Sequence, residues 1–360
     1  MLVSPHDLVE DLRRQYFSDT RVTYADLHVA QRPDTVSVSG TILDRASAEL
    51  LLGTLYQRAP TLNWRDDMTA LVTGPDYSWA LVERGVIDVR HEPSNAAERT
   101  SQVLFGEPVE ILRRSDDWAF VRSRDGYLGW TNARPLRPVT AEAARDWSST
   151  ITHIVRQPLL ACYADASGEP HQQTMLIPFG SRLHIEGADG VFRKVRCPEG
   201  RVRWVPVTGL LPAAELWGHG VEGLQTVVNW AQALVGVPYL WGGKTPFGYD
   251  CSGLVQMLFS MIAVDLPRDA NQQFTHGRVV DFAETQFGDC LFFDTQATEQ
   301  DLHAGRELLD VSHVALALDH DTFLHASRRF GGVVRGSFDQ RSPWFTPTFR
   351  ERLLGVRRYV

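Results

Sequence analysis

Sliding the chain over itself by 74 residues superimposes ten positions of matching character across residues 106–138 with no gap. Gly106 falls on Gly180, Val109 on Leu183, Ile111 on Ile185, Trp118 on Phe192 and Val121 on Val195. Arg122 meets Arg196, Gly126 meets Gly200, Trp130 meets Trp204, Leu136 meets Leu210 and Pro138 meets Pro212. Self-similarity at a fixed period means one structural unit used twice. Each copy alternates apolar and polar residues in short runs broken by turn clusters, Ser115-Asp-Asp and Arg124-Asp-Gly in the first, Ala188-Asp-Gly and Pro198-Glu-Gly in the second. That pattern predicts two small β-barrels, residues 78–145 and 146–216.

What flanks the repeat differs from it. Residues 1–77 read helix, two strands, helix, strand. Leu8, Leu12 and Tyr16 share a helix face, Val36–Ile42 alternates as a strand, and Ala46–Tyr56 is a second helix. The order resembles a BON-type αββαβ module. After a bridge at Trp217–Glu222, residues 221–360 read as two helices followed by apolar strands at Asp289–Phe293, His313–Leu318 and Thr322–Ala326, an α+β order.

Charge and cysteine usage limit the function. Lysine and arginine number 36 against 44 acids, for a formal net charge of -8, and the signs are mixed. That argues against nucleic acid as partner and against a basic membrane-binding face. A substrate bearing carboxylates would need a local cation, because the overall field repels it. The N-terminus has early acids and no apolar segment of signal length, and no run of about eighteen apolar residues occurs. Four cysteines (Cys162, Cys197, Cys251, Cys290) form no CxxC pair and no disulfide framework. The expectation is a cytoplasmic protein with reduced thiols and no cofactor.

One of those cysteines carries chemistry. In Tyr239-Leu-Trp-Gly-Gly-Lys-Thr-Pro-Phe-Gly-Tyr-Asp-Cys251-Ser-Gly-Leu, the cysteine stands between a Gly/Pro loop and a helix with Leu254, Val255, Leu258 and Phe259 as its apolar stripe. The sulfur then lies at a helix N-terminus, where N–H groups and the helix dipole favour thiolate, and the first turn stays at the surface. A thiolate nucleophile needs a base within hydrogen-bond reach and a partner that orients the base. His313 begins an apolar strand and His325 ends the next one, so a short antiparallel connection makes them neighbours. His276, His303 and His320 sit in polar turns and read as solvated. A buried structural cysteine, a strand-end histidine pair satisfied by backbone, and a zinc site made of Cys251, His313 and His325 are the alternatives these residues leave open.

The motifs Tyr239-x-Trp-Gly-Gly, Asp250-Cys-Ser-Gly, Leu266-Pro-Arg, Gln272 or Gln273, Gly288-Asp, Ser312-His-Val-Ala and His325-Ala come in that order over the last 140 residues. Together they resemble the NlpC-type papain-like cysteine peptidases that cleave bacterial cell-wall peptides. Asp125-Gly-Tyr-x-Gly-Trp130 resembles bacterial SH3-like domains, whereas the second copy has Arg201 in place of the tyrosine. Two such barrels ahead of such a peptidase further resemble the γ-D-glutamyl-L-diamino acid endopeptidases of murein recycling. The resemblance implies a papain-like α+β catalytic domain preceded by two SH3-like barrels and an N-terminal α+β module.

It also implies roles. Cys251 is the nucleophile, His313 the general base and then acid, and His325 the orienting group. Tyr239 joins the Cys251 N–H at the oxyanion. Asp250, Ser252, Tyr127 and Glu92 bind the free amine of an N-terminal L-Ala, and Arg268 takes the α-carboxylate of D-Glu. The expected substrate is a murein tripeptide or related stem peptide. An exported hydrolase of intact wall and a non-catalytic wall-binding scaffold are the alternatives. Ala270 replaces a serine common in the family, and residues 294–311 form a longer loop than usual, either a flap over the cleft or a tolerated insertion.

Overall fold

The computed structural model describes residues 4–71, 78–296 and 310–360. The junction between the N-terminal module and the first repeat, and most of the 294–311 loop, lie outside the described residues.

The N-terminal elements are α1 (Pro5–Tyr16), β1 (Ala25–Arg32), β2 (Thr35–Ile42), α2 (Arg45–Arg58) and β3 (Trp64–Ala70). Each helix begins where its sequence supplies a cap: Ser4 Oγ accepts from the Asp7 N–H, and Asp44 Oδ1 accepts from the Ser47 N–H. β1 and β2 pair antiparallel. β3 returns parallel to β2 because α2 provides the crossover. Leu8, Leu12, Leu51 and Leu55 pack on Val36, Val38 and Ile42 in a core of their own.

The repeat is real in three dimensions. The first unit contains β4 (Trp79–Val82), β5 (Val86–Arg90), β6 (Arg99–Leu104), β7 (Pro108–Ser115), β8 (Trp118–Arg122), β9 (Leu128–Asn132) and β10 (Leu136–Val139). Its sheet runs β10-β4-β7-β8-β9-β5-β6. A helix, α3 (Ala141–Ser149), leads into β11 (His153–Val155), β12 (Leu159–Tyr163), β13 (Gln173–Pro178), β14 (Arg182–Leu183), β15 (Ile185–Asp189), β16 (Phe192–Arg196), β17 (Val202–Pro206) and β18 (Leu210–Pro212). The neighbour order is the same after the 74-residue shift, except that the counterpart of β7 breaks at His184 into β14 and β15, which splits the sheet in two. Two glycine pairs hold equivalent left-handed turns, Gly106 and Gly180 at φ +73° and +81°, Gly126 and Gly200 at +81° and +78°.

The C-terminal unit comprises α4 (Gly220–Ala231), β19 (Lys244–Thr245), β20 (Gly248–Tyr249), α5 (Cys251–Met261), α6 (Ala270–Phe274), β21 (Arg278–Val280), β22 (Cys290–Phe293), β23 (His313–Ala317), β24 (Thr322–Ser327), β25 (Gly332–Ser337) and β26 (Leu353–Arg358). Six of these strands form an antiparallel sheet in the order β21-β26-β22-β23-β24-β25. Leu254, Val255, Leu258 and Phe259 of α5 are fully buried against Phe292, Val314, Leu316 and Leu324 of that sheet.

The expected exposure of the first turn of α5 is not observed: Cys251, Ser252 and Gly253 are all buried. Much of that burial is internal to the C-terminal unit: Gly253 lies against the Gly243 carbonyl, and the N–H groups of Val314 and Ser252 reach the Cys251 sulfur, while the first β unit packs alongside. Gln256 Nε2 donates to Asp125 Oδ2 at 2.9 Å, and Gln102 Oε1 accepts from the Lys244 N–H at 2.9 Å. Among the described residues no helix is long and apolar enough to cross a membrane, and all four cysteines are unpaired and buried.

Candidate active site

Cys251 opens α5 because Asp250 caps it, with Oδ1 accepting from the Gly253 N–H at 2.7 Å. At this helix end burial opposes ionisation of the sulfur. Burial pushes the Cys251 thiol up to about 12, and the Asp250 carboxylate pushes the same way. The N–H groups of Val314 and Ser252 reach the sulfur and oppose the rise without cancelling it. Desolvation therefore works against the thiolate that the helix end favours.

Across from it, His313 Nε2 lies 2.7 Å from His325 Nδ1. Burial lowers His313 to about 4, with Asp250 opposing, and lowers His325 further through burial and the facing His313. The desolvating walls are aromatic: Phe293 lies 6.0 Å from His313 between ring centres, Phe323 5.2 Å from His325, and Phe349 5.8 and 5.5 Å from the two. Two neutral imidazoles in contact share one proton. When the His313 Nε2–H donates to His325, Nδ1 of His313 presents a lone pair, the form a general base needs. His325 then carries its proton on Nε2, which is buried with no partner. Cys251 and His313 open into the same cleft, of about 1050 Å3.

Beside the sulfur sits a buried ion pair. Arg268 Nη1 and Nη2 donate to Asp250 Oδ1 and Oδ2 at 3.0 and 2.6 Å. The same guanidinium donates to Ser252 Oγ at 2.9 Å and, through Nε, to Ser101 Oγ of β6 at 3.2 Å. With its side chain fully buried and four of its N–H bonds made to Asp250, Ser252 and Ser101, Arg268 does not line the cleft. The expected contact between Arg268 and a substrate carboxylate is therefore corrected. Its charge offsets Asp250, which is itself largely buried.

The profile of the NlpC/P60 family matches residues 236–358. The C-terminal unit is an NlpC/P60 cysteine peptidase domain. A bacterial dipeptidyl-peptidase SH3 domain profile matches residues 89–134, within the first β unit. A gamma-D-glutamyl-L-lysine dipeptidyl-peptidase of Bacillus cereus is 24% identical over 324 residues, which cover 88% of this chain and 91% of that protein. Dipeptidyl-peptidase 6 of Lysinibacillus sphaericus is 28% identical over 280 residues, 74% of this chain and 94% of that one. A crystal structure of an NlpC/P60 family protein from Bacillus cereus superposes with a TM-score of 0.65 at 20% identity, covering 78% of this chain and 99% of that chain.

The SH3 domain forms one wall of the peptidase cleft. Tyr127, nearly buried, donates its hydroxyl to Asp269 Oδ2 at 3.1 Å. Arg21, in the connection between α1 and β1, donates to the same oxygen at 2.8 Å and to Asn271 Oδ1 at 3.0 Å. Trp241 Nε1 donates to Glu98 Oε1 at 2.5 Å. Tyr239 lines the cleft too, and burial together with Cys251 and Asp250 keeps its hydroxyl protonated well above the usual range, as a donor must be. Asp250 and Ser252 also line it, but mostly as partners of Arg268.

Glu92 is the second correction. It is exposed in the turn after β5 and does not line the cleft, whereas Glu98, just before β6, does. The β5–β6 connection lifts residue 92 away from the peptidase and brings residue 98 back towards Trp241. Sequence reasoning missed Glu98, Asp269 and Arg21. Asp269 had a signal, since it follows Arg268 in the Leu-Pro-Arg motif and caps α6. Arg21 had none, because 248 residues separate it from its partner. Among the described residues, no three His, Cys, Asp or Glu side chains are grouped to hold a metal ion.

Proposed function

We propose that this peptidase hydrolyses the γ-D-glutamyl–diamino acid bond of short murein peptides with a free N-terminal L-Ala, in cell-wall peptide recycling. The observation that carries the reading is the Tyr127–Asp269 contact. It draws the SH3 wall down to the rim of the peptidase cleft, where a closed end suits a short peptide with a free terminus. The name borne by the Bacillus cereus relative, a gamma-D-glutamyl-L-lysine dipeptidyl-peptidase, supports the same bond class. A free ammonium is held by carboxylates and hydroxyls, and the Tyr127 hydroxyl and the exposed Glu98 carboxylate line the cleft at that end.

In this reading His313 Nδ1 takes the Cys251 proton as the sulfur attacks the γ-carbonyl of D-Glu, and His325 accepts from Nε2 of the resulting imidazolium. The Cys251 N–H and the Tyr239 hydroxyl hold the tetrahedral oxyanion. His313 passes its proton to the departing amine. Water then cleaves the thioester, with the same imidazole as base. The repeat's second unit is read as another SH3-like barrel, and recycling implies a cytoplasmic site of action.

The test is hydrolysis of L-Ala-γ-D-Glu-diamino acid by purified protein, with Cys251→Ala as control. Release of L-Ala-D-Glu by the wild type alone is expected. An intact tripeptide, or release from whole sacculi in preference to the free peptide, would overturn the reading in favour of a wall hydrolase.

A further inference from the structure

The proposed substrate carries several carboxylates, and the protein it enters has a net charge of -8. The cleft does not share that sign. Arg21, Arg113, Arg328, Arg329 and Arg352 line it against three acids, Glu98, Asp250 and Asp269. Two of those acids are already matched, Asp250 by Arg268 and Asp269 by Arg21. Arg21 is spent on Asp19 and Asp269, and Arg113 lies over the rings of Trp130 and Phe120 at 5.0 and 5.8 Å. Arg352 donates to the Thr295 carbonyl at 3.2 Å, and its Nε is buried without a partner.

Arg328 and Arg329 are consecutive on the turn between β24 and β25, both exposed. Among the described residues neither has an ion-pair or hydrogen-bond partner for its guanidinium. The one ring against Arg329 is its neighbour Phe330, at 5.9 Å.

Their turn is anchored to the reacting centre. It follows directly on the strand that ends with His325, Ala326 and Ser327. Gly331, at φ +77°, closes it, and the Gly331 carbonyl accepts from the Tyr239 N–H at 2.8 Å. The Val333 N–H donates to the Val237 carbonyl at 2.8 Å, so two backbone hydrogen bonds tie the turn to the Tyr239 loop. The Tyr239 hydroxyl accordingly feels Arg328 and Cys251 together.

We propose that Arg328 and Arg329 form an anion subsite beside Cys251 that binds a substrate carboxylate flanking the scissile amide. The inference rests on the substrate reading given above. A guanidinium presents a planar fork that fits a carboxylate bidentately, and here two forks stand free where a buried Arg268 cannot serve. Two carboxylates flank the bond in the tripeptide: the α-carboxylate of D-Glu and the terminal carboxylate of the leaving residue. They share one chemistry, and substrates separate them.

The test uses the full chain and three peptides: the free tripeptide, the same peptide with the D-Glu α-carboxylate amidated, and the same peptide with the leaving residue amidated. Values of kcat/KM are measured for wild type and for the Arg328→Gln, Arg329→Gln double variant. Wild type is expected to reject one of the two amides by about tenfold or more, the size of a charge-assisted hydrogen bond. In the double variant that ratio collapses towards one, mostly through KM. Which amide is rejected identifies the carboxylate. Because each ratio comes from one preparation, it is indifferent to the fraction folded. Equal hydrolysis of all three by the wild type overturns the proposal, and so does an unchanged ratio in the variant. Hydrolysis of none removes the proposed function itself, and this inference with it.

Discussion

The two β units share a strand order and a 74-residue offset, yet only one of them reaches the catalytic cleft. The first unit contributes Glu98, Arg113, Tyr127 and Trp130 to the cleft lining, and the second contributes nothing. The equivalent of Tyr127 in the second unit is Arg201, which is exposed. The two units also meet the peptidase differently. The first joins it through buried polar bonds, Ser101 to Arg268 and Gln102 to Lys244 and Thr245. The second packs against the far end of α5, where Gly180 lies against Met257 and Arg182 Nη2 donates to the Ser260 carbonyl at 2.7 Å. The two units share a strand order, and the surface each presents to α5 makes one a wall and the other a buttress.

The largest effect should come from breaking the polar joint. Arg268→Met leaves Asp250 buried and unpaired, which costs about 3–5 kcal/mol, readable as a drop in urea midpoint. A loss under about 1 kcal/mol would mean that Asp250 is protonated or solvated, and that the joint is not what ties the first unit down.

Acid should distinguish the catalytic centre from both units. His313 has a folded pKa near 4 against an ordinary 6.5. The stability from keeping it neutral is present above pH 6.5 and is lost as pH falls through 4, amounting to about 3 kcal/mol. His184 of the second unit shifts in the same direction, through burial opposed by its bond to the Thr150 carbonyl. Replacing His313 with Asn should flatten the stability profile between pH 6.5 and 4 more than replacing His184 does. Equal flattening would remove the distinction.

Glycine pairs probe the packing side of the comparison. An alanine at either Gly106 or Gly180 forces a left-handed φ on a side chain, for about 1 kcal/mol. At Gly180 the new Cβ also meets Met257 Sδ at 2.1 Å, whereas at Gly106 the nearest atoms, of Trp147, are at 3.5 Å. Gly180→Ala should therefore cost about 1 kcal/mol more than Gly106→Ala in thermal or urea unfolding, and equal costs would argue against a tight buttress.

The smallest effect is the most specific. Tyr127→Phe deletes one hydroxyl bond to Asp269 and should lower kcat/KM on a free-amine peptide about fivefold, chiefly through KM. The matched Arg201→Ala should leave both activity and stability unchanged within about 0.5 kcal/mol. If the two variants behave alike, the first unit is as remote from the substrate as the second.

The sequence by itself determined a good deal. The repeat predicted paired β units because turn chemistry and alternation are local, and a strict offset transfers them residue for residue. The cap at Asp250 and the stripe on α5 put Cys251 at the head of a helix for the same reason. His313 and His325 could be paired because antiparallel neighbours joined by a short turn bring strand start to strand end.

What only the tertiary structure decided depends on how separate units pack. Packing buried Cys251 at the head of α5, and that burial opposes the thiolate. It committed Arg268 to Asp250, brought Glu98 rather than Glu92 to the cleft, and carried Arg21 across 248 residues to Asp269. Each of these is a long-range electrostatic or desolvation effect. A pattern read along the chain has no access to what a distant surface will exclude from water.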